Sequence, residues 1–314
     1  MKIKKSLSAP ILALIVYLFT FAARFLDISV LQNYDRDNIY LTIIVLQLLI
    51  FVIPGIFYSK LRGTEFVSGL RIRIPSPGRI GIAVLLFFTM LTGSVLLKLL
   101  ISHFTGSIYN SATALNFRAN ISAAGLYQVT DAIYTIITFA LVPAIAQEFI
   151  FRGVLVSEYR VSRYGIWSMV LIPSLLYGML GFSLQSFPVY FIQGILMSLM
   201  VLITDSLLAP MFFSFINNIL ELYLEDSVLR VFQQSDYFSL LLFLIGSLFL
   251  IFIILSFAEA ERLTYNDGVS GKKEPQYMIT DGSGGKKFSE CIFSPTCICC
   301  IVLFFASIFF QRYI

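Results

Sequence analysis

Residues 131–156 read DAIYTIITFALVPAIAQEFIFRGVLV, and this stretch decides the fold. It is long and apolar enough to cross a bilayer, which takes about 20 helical residues, yet it carries Glu148 and Arg152 well inside the run. Ionisable side chains at membrane depth are expensive and persist where they pair with one another or line a polar cavity. These two are four residues apart with the acid N-terminal to the base, the favourable order for a pair on one helix face. Spacing alone leaves two readings open. The pair is a neutralised contact that packs two helices, or Glu148 sits in a wet pocket and orients a water while Arg152 holds it ionised.

Outward from this stretch the chain keeps the same character. Of its 314 residues 58% are hydrophobic and 13% charged, and its mean hydropathy is +0.87. Such a balance excludes a soluble domain on a single anchor. Apolar runs at 9–26, 40–59, 80–104, 131–156, 165–182, 187–204, 207–224, 237–257 and 291–311 predict an all-α polytopic transmembrane helical bundle of eight to nine spans. Lys2, Lys4 and Lys5 precede the first run, and Lys60, Arg62, Arg71, Arg73 and Arg79 follow the second. The positive-inside rule then puts the N-terminus in the cytoplasm. Counting onward agrees, because Arg160, Arg163, Arg262, Lys272, Lys273, Lys286 and Lys287 also fall inside, and Asp27, Asp35, Asp37, Glu221, Glu225, Asp226 and Asp236 fall outside. The first run lacks a small-x-small cleavage site and reads as a retained span. Orientation accounts for the net charge of +4.

Three segments follow from this reading: N-terminal helices with an inner-surface loop at 1–130, a helical core at 131–257, and a cytoplasmic tether with a last helix at 258–314. In the first, Ile72, Ile74 and Ile80 alternate with Arg71, Arg73 and Arg79, and Pro75 and Pro77 argue against a helix there, so 60–79 is expected to lie along the inner lipid surface. The loop 105–130 is polar and contains the sequon Asn120-Ile121-Ser122, and 258–290 is glycine-rich and charged. Cys291, Cys297, Cys299 and Cys300 have no histidine nearby and are expected to pack in lipid, so neither a metal nor another cofactor is expected. The single histidine, His103, reads as interfacial. Lys98 and Arg24 read as snorkelling, Gln193 and Ser198 as interhelical hydrogen bonds, and Asp205 as the cap of the following helix. Nothing suggests a nucleic-acid partner. The lipid bilayer, in a bacterial plasma membrane, is the expected surrounding.

The run Gln147-Glu148-Phe149-Ile150-Phe151-Arg152-Gly153 resembles the Glu-Glu-x-x-x-Arg motif of the CAAX protease and bacteriocin-processing family, also called the abortive-infection or type II CAAX prenyl endopeptidase-like family, of intramembrane proteases. Tyr177-Gly178-Met179-Leu180-Gly181 is similar to its Phe-x-x-x-His motif, with Gly181 at the histidine position. Ser214-Phe215-Ile216-Asn217-Asn218 is similar to His-x-x-x-Asn, with Ser214 at the histidine position and Asn218 matching. The resemblance spans 131–224. A hairpin turning near Tyr164 would bring Gln147 and Gly181, each 17 residues from the turn, to one depth. Ser214, Asn217, Asn218 and Glu221 form a polar stripe able to close the same cavity.

In an active member the resemblance implies that the first glutamate activates a water while the two histidines and the asparagine bind or polarise the scissile carbonyl. Gln147 has no protonatable site near neutrality, Gly181 offers no donor, and Ser214 is not an imidazole. The expectation is therefore a catalytically degenerate protease that binds a membrane-embedded peptide, a lipidated tail or a partner protein. One alternative is an active endopeptidase using Glu148 with Ser214 and Asn218 as an oxyanion pair. Another is a small-molecule transporter, against which stands the lack of related halves.

Overall fold

The computed structural model describes residues 8–24, 36–63, 70–106, 109, 132–161, 165–269 and 288–311. Every regular element among them is helical. Helix α1 is Ser8–Arg24. Helix α2 runs from Arg36–Gln47 through a π-helical segment, Leu48–Val52, into Ile53–Arg62. Helix α3 is Pro77–Thr105. Helix α4 contains the deciding stretch and alternates registers: Ala132–Ile136, the π segment Ile137–Leu141, Val142–Glu148, a second π segment Phe149–Leu155, and Val156–Val161. Helices α5, α6 and α7 are Ile166–Met179, Phe187–Thr204 and Leu208–Tyr223. After them come α8, Glu225–Gln233, α9, Phe238–Val269, α10, Phe288–Ile292, and α11, Pro295–Gln311.

Five helical stretches are long and apolar enough to span a bilayer: Tyr40–Arg62, Pro77–Thr105, Ala132–Arg160, Phe187–Thr204 and Phe238–Asn266. Shorter apolar helices lie at Ile11–Ala23, Ile166–Met179 and Pro295–Phe309. The helix α7, expected as a span, has 16 residues and is amphipathic, because its polar stripe occupies one face. Long apolar side chains point outward where lipid would lie, Phe243 and Phe257 of α9 among them.

Helix α4 sits in the largest packed cluster, where Ile150, Phe151, Val154 and Leu155 are fully enclosed with Ile50 and Phe51 of α2 and Leu176 of α5. A second cluster joins Leu86 and Met90 of α3 to Met197 and Met200 of α6 and Ala209 of α7. The closest helix pairing is α5 with α6. A Cβ added at Gly194 would stand 2.8 Å from Ser174 Cα, so a side chain there has no room. The tyrosine hydroxyl of Tyr17 on α1 donates to the Leu176 carbonyl, which the end of α5 leaves open because the Leu180 N–H bonds to Tyr177 instead.

Several expectations change. Helix α3 begins at Pro77, since proline's missing N–H and fixed φ are tolerated in a first turn. The preceding segment does present Ile72 and Ile74 outward, but Arg71, partly buried, and Arg73, largely exposed, both pair with Asp205. Asp205 is thus not the cap of α7. It ends α6 with φ 56°, and the Ser206 hydroxyl accepts from the Ala209 N–H at 3.4 Å instead. Helix α9 continues to Val269, through residues expected to begin a tether. The loop 105–130, apart from 105–106 and Tyr109, the turn at Tyr164, the N-terminal lysines and 270–287 lie outside the described residues.

Candidate functional site

The site begins with two prolines. Pro54 and Pro143 each follow a π segment by two residues. Proline lacks an N–H and crowds the carbonyl four residues back, and widening the preceding turn relieves that contact. In α4 the π register would pair the Thr138 carbonyl with residue 143, which has no N–H to give. Gln47 of α2 supplies the missing donor, its Nε2 lying 3.3 Å from the Thr138 oxygen. Two residues on, Asn218 of α7 donates through Nδ2 to the Ala140 oxygen at 3.1 Å. Side-chain amides from two neighbouring helices therefore fasten themselves to the loosened turn of α4.

One turn further along, Gln147 and Glu148 diverge, because successive helical residues point about 100° apart. Glu148 is 1% exposed and accepts at Oε1 from Arg152 Nη1 at 3.0 Å. The guanidinium stacks over the Tyr177 ring with its centre 4.1 Å from the ring centroid, a cation–π contact inside the bundle. Phe151 meets the same ring edge-on, and Ser214 of α7 stands beside the Glu148 carboxylate. Of the two readings left open by the spacing, the structure makes Glu148 and Arg152 a buried ion pair.

Gln147 faces the other way, into a partly open cavity of about 70 Å³. With Phe139 and Pro143 it forms the α4 wall; Gln47 comes from α2, Tyr177 from α5, and Tyr190 and Gln193 from α6. Asn218, Glu221 and Leu222 of α7 complete it. A water needs roughly 10–15 Å³ on this measure, so the cavity holds a few waters or one small chemical group.

A second charged cluster adjoins it. Lys98 of α3 reaches Glu221 at 3.1 Å and Glu225 of α8 at 3.0 Å. Gln193 Nε2 lies 3.2 Å from both Glu221 Oε1 and Ser94 Oγ, and Asn217 also engages Glu221. Lys98 is 5% exposed, so it does not snorkel. A pair of carboxylates inside the bundle holds it more strongly than a distant interface could. The interhelical role expected of Gln193 is observed.

The structure thus divides the residues singled out in sequence. Gln147 and Asn218 line the cavity. Glu148 and Ser214 lie together behind its wall, and Arg152 bonds directly to Glu148 while stacking on Tyr177. Gly181 is buried in the turn after α5, past the end of that helix. The helix stops because Leu180 N–H and Phe182 N–H bond back only three residues, to Tyr177 and Met179, and Phe182 takes φ 45°. The hairpin count assumed a straight helix through that point. Sequence reasoning missed Gln47, Tyr190 and the Lys98 partnership, and the one available signal was a glutamine in mid-span. Among the described residues no group of three or more His, Cys, Asp or Glu is placed to hold a metal. Cys291, Cys297 and Cys300 are buried free thiols, and Cys299 is exposed. His103 is exposed near the end of α3 and stacks on Phe238.

Together these features define a helical integral membrane protein with an ion pair and a small polar cavity inside its bundle. Residues 129–220 match the family model described as Type II CAAX prenyl endopeptidase Rce1-like, and this match supports a likeness of that part of the chain to the CAAX protease family. The match covers α4 through most of α7, the helices that build the site. No curated protein and no solved structure matches the chain.

Proposed function

We propose that this protein binds a membrane-embedded peptide or a lipidated tail in the α4–α7 cavity without hydrolysing it. One observation carries the reading: the cavity offers no group suited to take a proton from water. Position 147 is an amide, and the chain's single histidine, His103, lies at the end of α3. Glu148 does not line the cavity and is held by Arg152, and Glu221, which does, is held by Lys98. A general base must reach the proton it abstracts and must not already be committed to a cation. Asn218, conceived for an oxyanion role, commits one of its two N–H donors to the Ala140 carbonyl. What the cavity does offer is side-chain amides, which complement a peptide backbone through both donors and acceptors.

The test uses the full chain in lipid nanodiscs. Photo-crosslinkers installed at Leu222 should capture a prenylated or transmembrane peptide, and mass spectrometry should find that peptide intact. Cleavage that disappears in Glu148→Ala would overturn the reading. The same proposal has the N-terminus in the cytoplasm, supported by the basic residues at 2–5, 60–79 and 160–163. Labelling of single cysteines from each side of the membrane checks it.

A further inference from the structure

At the end of the bundle where α2 and α4 finish and α3 begins, three arginines converge on one carboxylate. Asp205 pairs with Arg71 and Arg73 of the segment before α3 and, at 3.8 Å, with Arg160 of α4. Hydrogen bonds fasten that segment to the turn between α6 and α7. The Leu207 N–H donates to the Arg71 carbonyl at 3.0 Å, the Ser206 hydroxyl to the Arg73 carbonyl, and Arg73 Nε to the Asp205 carbonyl at 2.8 Å. Arg71 and Asp205 both take left-handed backbone, with φ 54° and 56°. A left-handed residue commonly ends a helix, which accounts for Asp205. Arg71 lies in no helix, and strain of that kind gathers where a structure holds a ligand.

One carboxylate does not satisfy three guanidiniums, each of which carries five N–H donors. Arg73 directs Nε and Nη2 at Asp205 while its side chain stays 60% exposed, and the Arg71 side chain stays 24% exposed. Neighbouring charges leave the difference standing. Arg62 is matched by Glu158 and Arg262 by Glu259, and Lys60 and Arg79 are balanced in number by Glu261 and Asp267 of α9. The excess of two positive charges is therefore local to Asp205. Beside it the surface is apolar: Ile72 and Ile74, which alternate with the two arginines, are 60% and 80% exposed. Guanidiniums in excess and bare isoleucines side by side fit a molecule that is an anion at one end and a hydrocarbon at the other.

We infer that this end of the bundle binds an anionic phospholipid, its phosphate on Arg71 and Arg73 and its acyl chains along Ile72 and Ile74. The planar fork of arginine meets phosphate oxygens two at a time, so the phosphate joins Asp205 as a second anion and does not displace it. None of these residues lines the α4–α7 cavity, so the site stands whatever that cavity binds.

The test places the full chain in nanodiscs of equal parts phosphatidylcholine and phosphatidylglycerol, and native mass spectrometry counts the lipids that stay bound. Phosphatidylglycerol should be retained in preference, and Arg73→Gln should reduce that preference about fivefold, the worth of one basic side chain beside anionic lipid. Ile74→Ser should reduce it by about threefold or more, by taking away acyl-chain contact. Arg230→Gln removes an exposed arginine of α8, whose Gln233 bonds Ser102 near the far end of α3, and should leave the preference unchanged. Asp205→Asn tolerates left-handed backbone and releases Arg71 and Arg73, so it should strengthen retention, a gain that misfolding cannot mimic. Equal retention of the two lipids would overturn the inference, as would equal losses in Arg73→Gln and Arg230→Gln or no gain in Asp205→Asn. Undiminished retention in Ile74→Ser would reveal a site for phosphate alone and overturn the lipid assignment.

Discussion

Glu148→Gln isolates the buried pair. The substitution keeps the size of the side chain and removes its charge, leaving the Arg152 guanidinium without a counter-ion at a site where both side chains are at most 1% exposed. At 3.0 Å and an effective dielectric constant near 20, the lost attraction is about 5 kcal/mol. The Tyr177 ring face beneath the guanidinium is present in parent and variant alike and cancels from the difference. A net destabilisation of about 3–5 kcal/mol follows, the range seen when one member of a buried pair is removed. Arg152→Met should destabilise comparably, by stranding Glu148. The double variant removes both charges, and its stability should return to within about 1–2 kcal/mol of the parent, since a buried pair gains little over apolar side chains of similar volume. Reversible unfolding by sodium dodecyl sulfate in mixed micelles, followed by helical circular dichroism, measures all four corners of the cycle. Single variants within about 0.5 kcal/mol of the parent, or a double variant whose losses simply add, would show that the two groups are not coupled.

Lys98→Met should destabilise by about 3–5 kcal/mol in the same assay, because it strands two buried carboxylates, and a surface-like effect near zero would contradict the contacts to Glu221 and Glu225. Gly194→Ala should lose about 1–3 kcal/mol through overpacking, since the new methyl meets the Ser174 backbone and cannot be accommodated by rotating a side chain; a neutral result would mean α5 and α6 are further apart. Gln147→Glu should not produce cleavage of a prenylated peptide, because no imidazole lines the cavity, and any turnover above the parent would refute that.

The parts of this structure that were legible in sequence are local. The Glu148–Arg152 contact follows from i, i+4 spacing, the span positions from runs of apolar residues, and the cavity stripe of α7 from its period. What escaped depends on partners remote in sequence or on the ends of helices. Lys98 lies near the end of a span, where snorkelling is the usual outcome, and its partner Glu221 is 123 residues away. Asp205 sits just before a helix, the place of a cap, yet arginines 132 and more residues earlier hold it. Gly181 fell outside its helix because α5 ends in tight three-residue turns, which residue counting from Tyr164 does not foresee. Gln47 looked like one polar residue in an apolar run, and its meaning appeared only when Pro143, on another helix, left the Thr138 carbonyl short of a donor.

The amide at position 147 and the ion cluster across the cavity explain one another. Glu221 already brings a carboxylate to that small space, and Lys98 neutralises it while also serving Glu225. A glutamate at 147 would face Glu221 across a volume that holds only a few waters, and neighbouring carboxylates in a poorly solvated site repel strongly unless one takes up a proton or a cation enters. The exchange to glutamine is therefore what the α7 carboxylate requires. This makes the two positions energetically coupled in a testable sense. Gln147→Glu alone should destabilise the protein. Adding Glu221→Gln should relieve part of the cost by removing the like charge, so that the double variant is more stable than the sum of its singles by at least about 1 kcal/mol. Strict additivity would mean that the two side chains do not sense each other across the cavity.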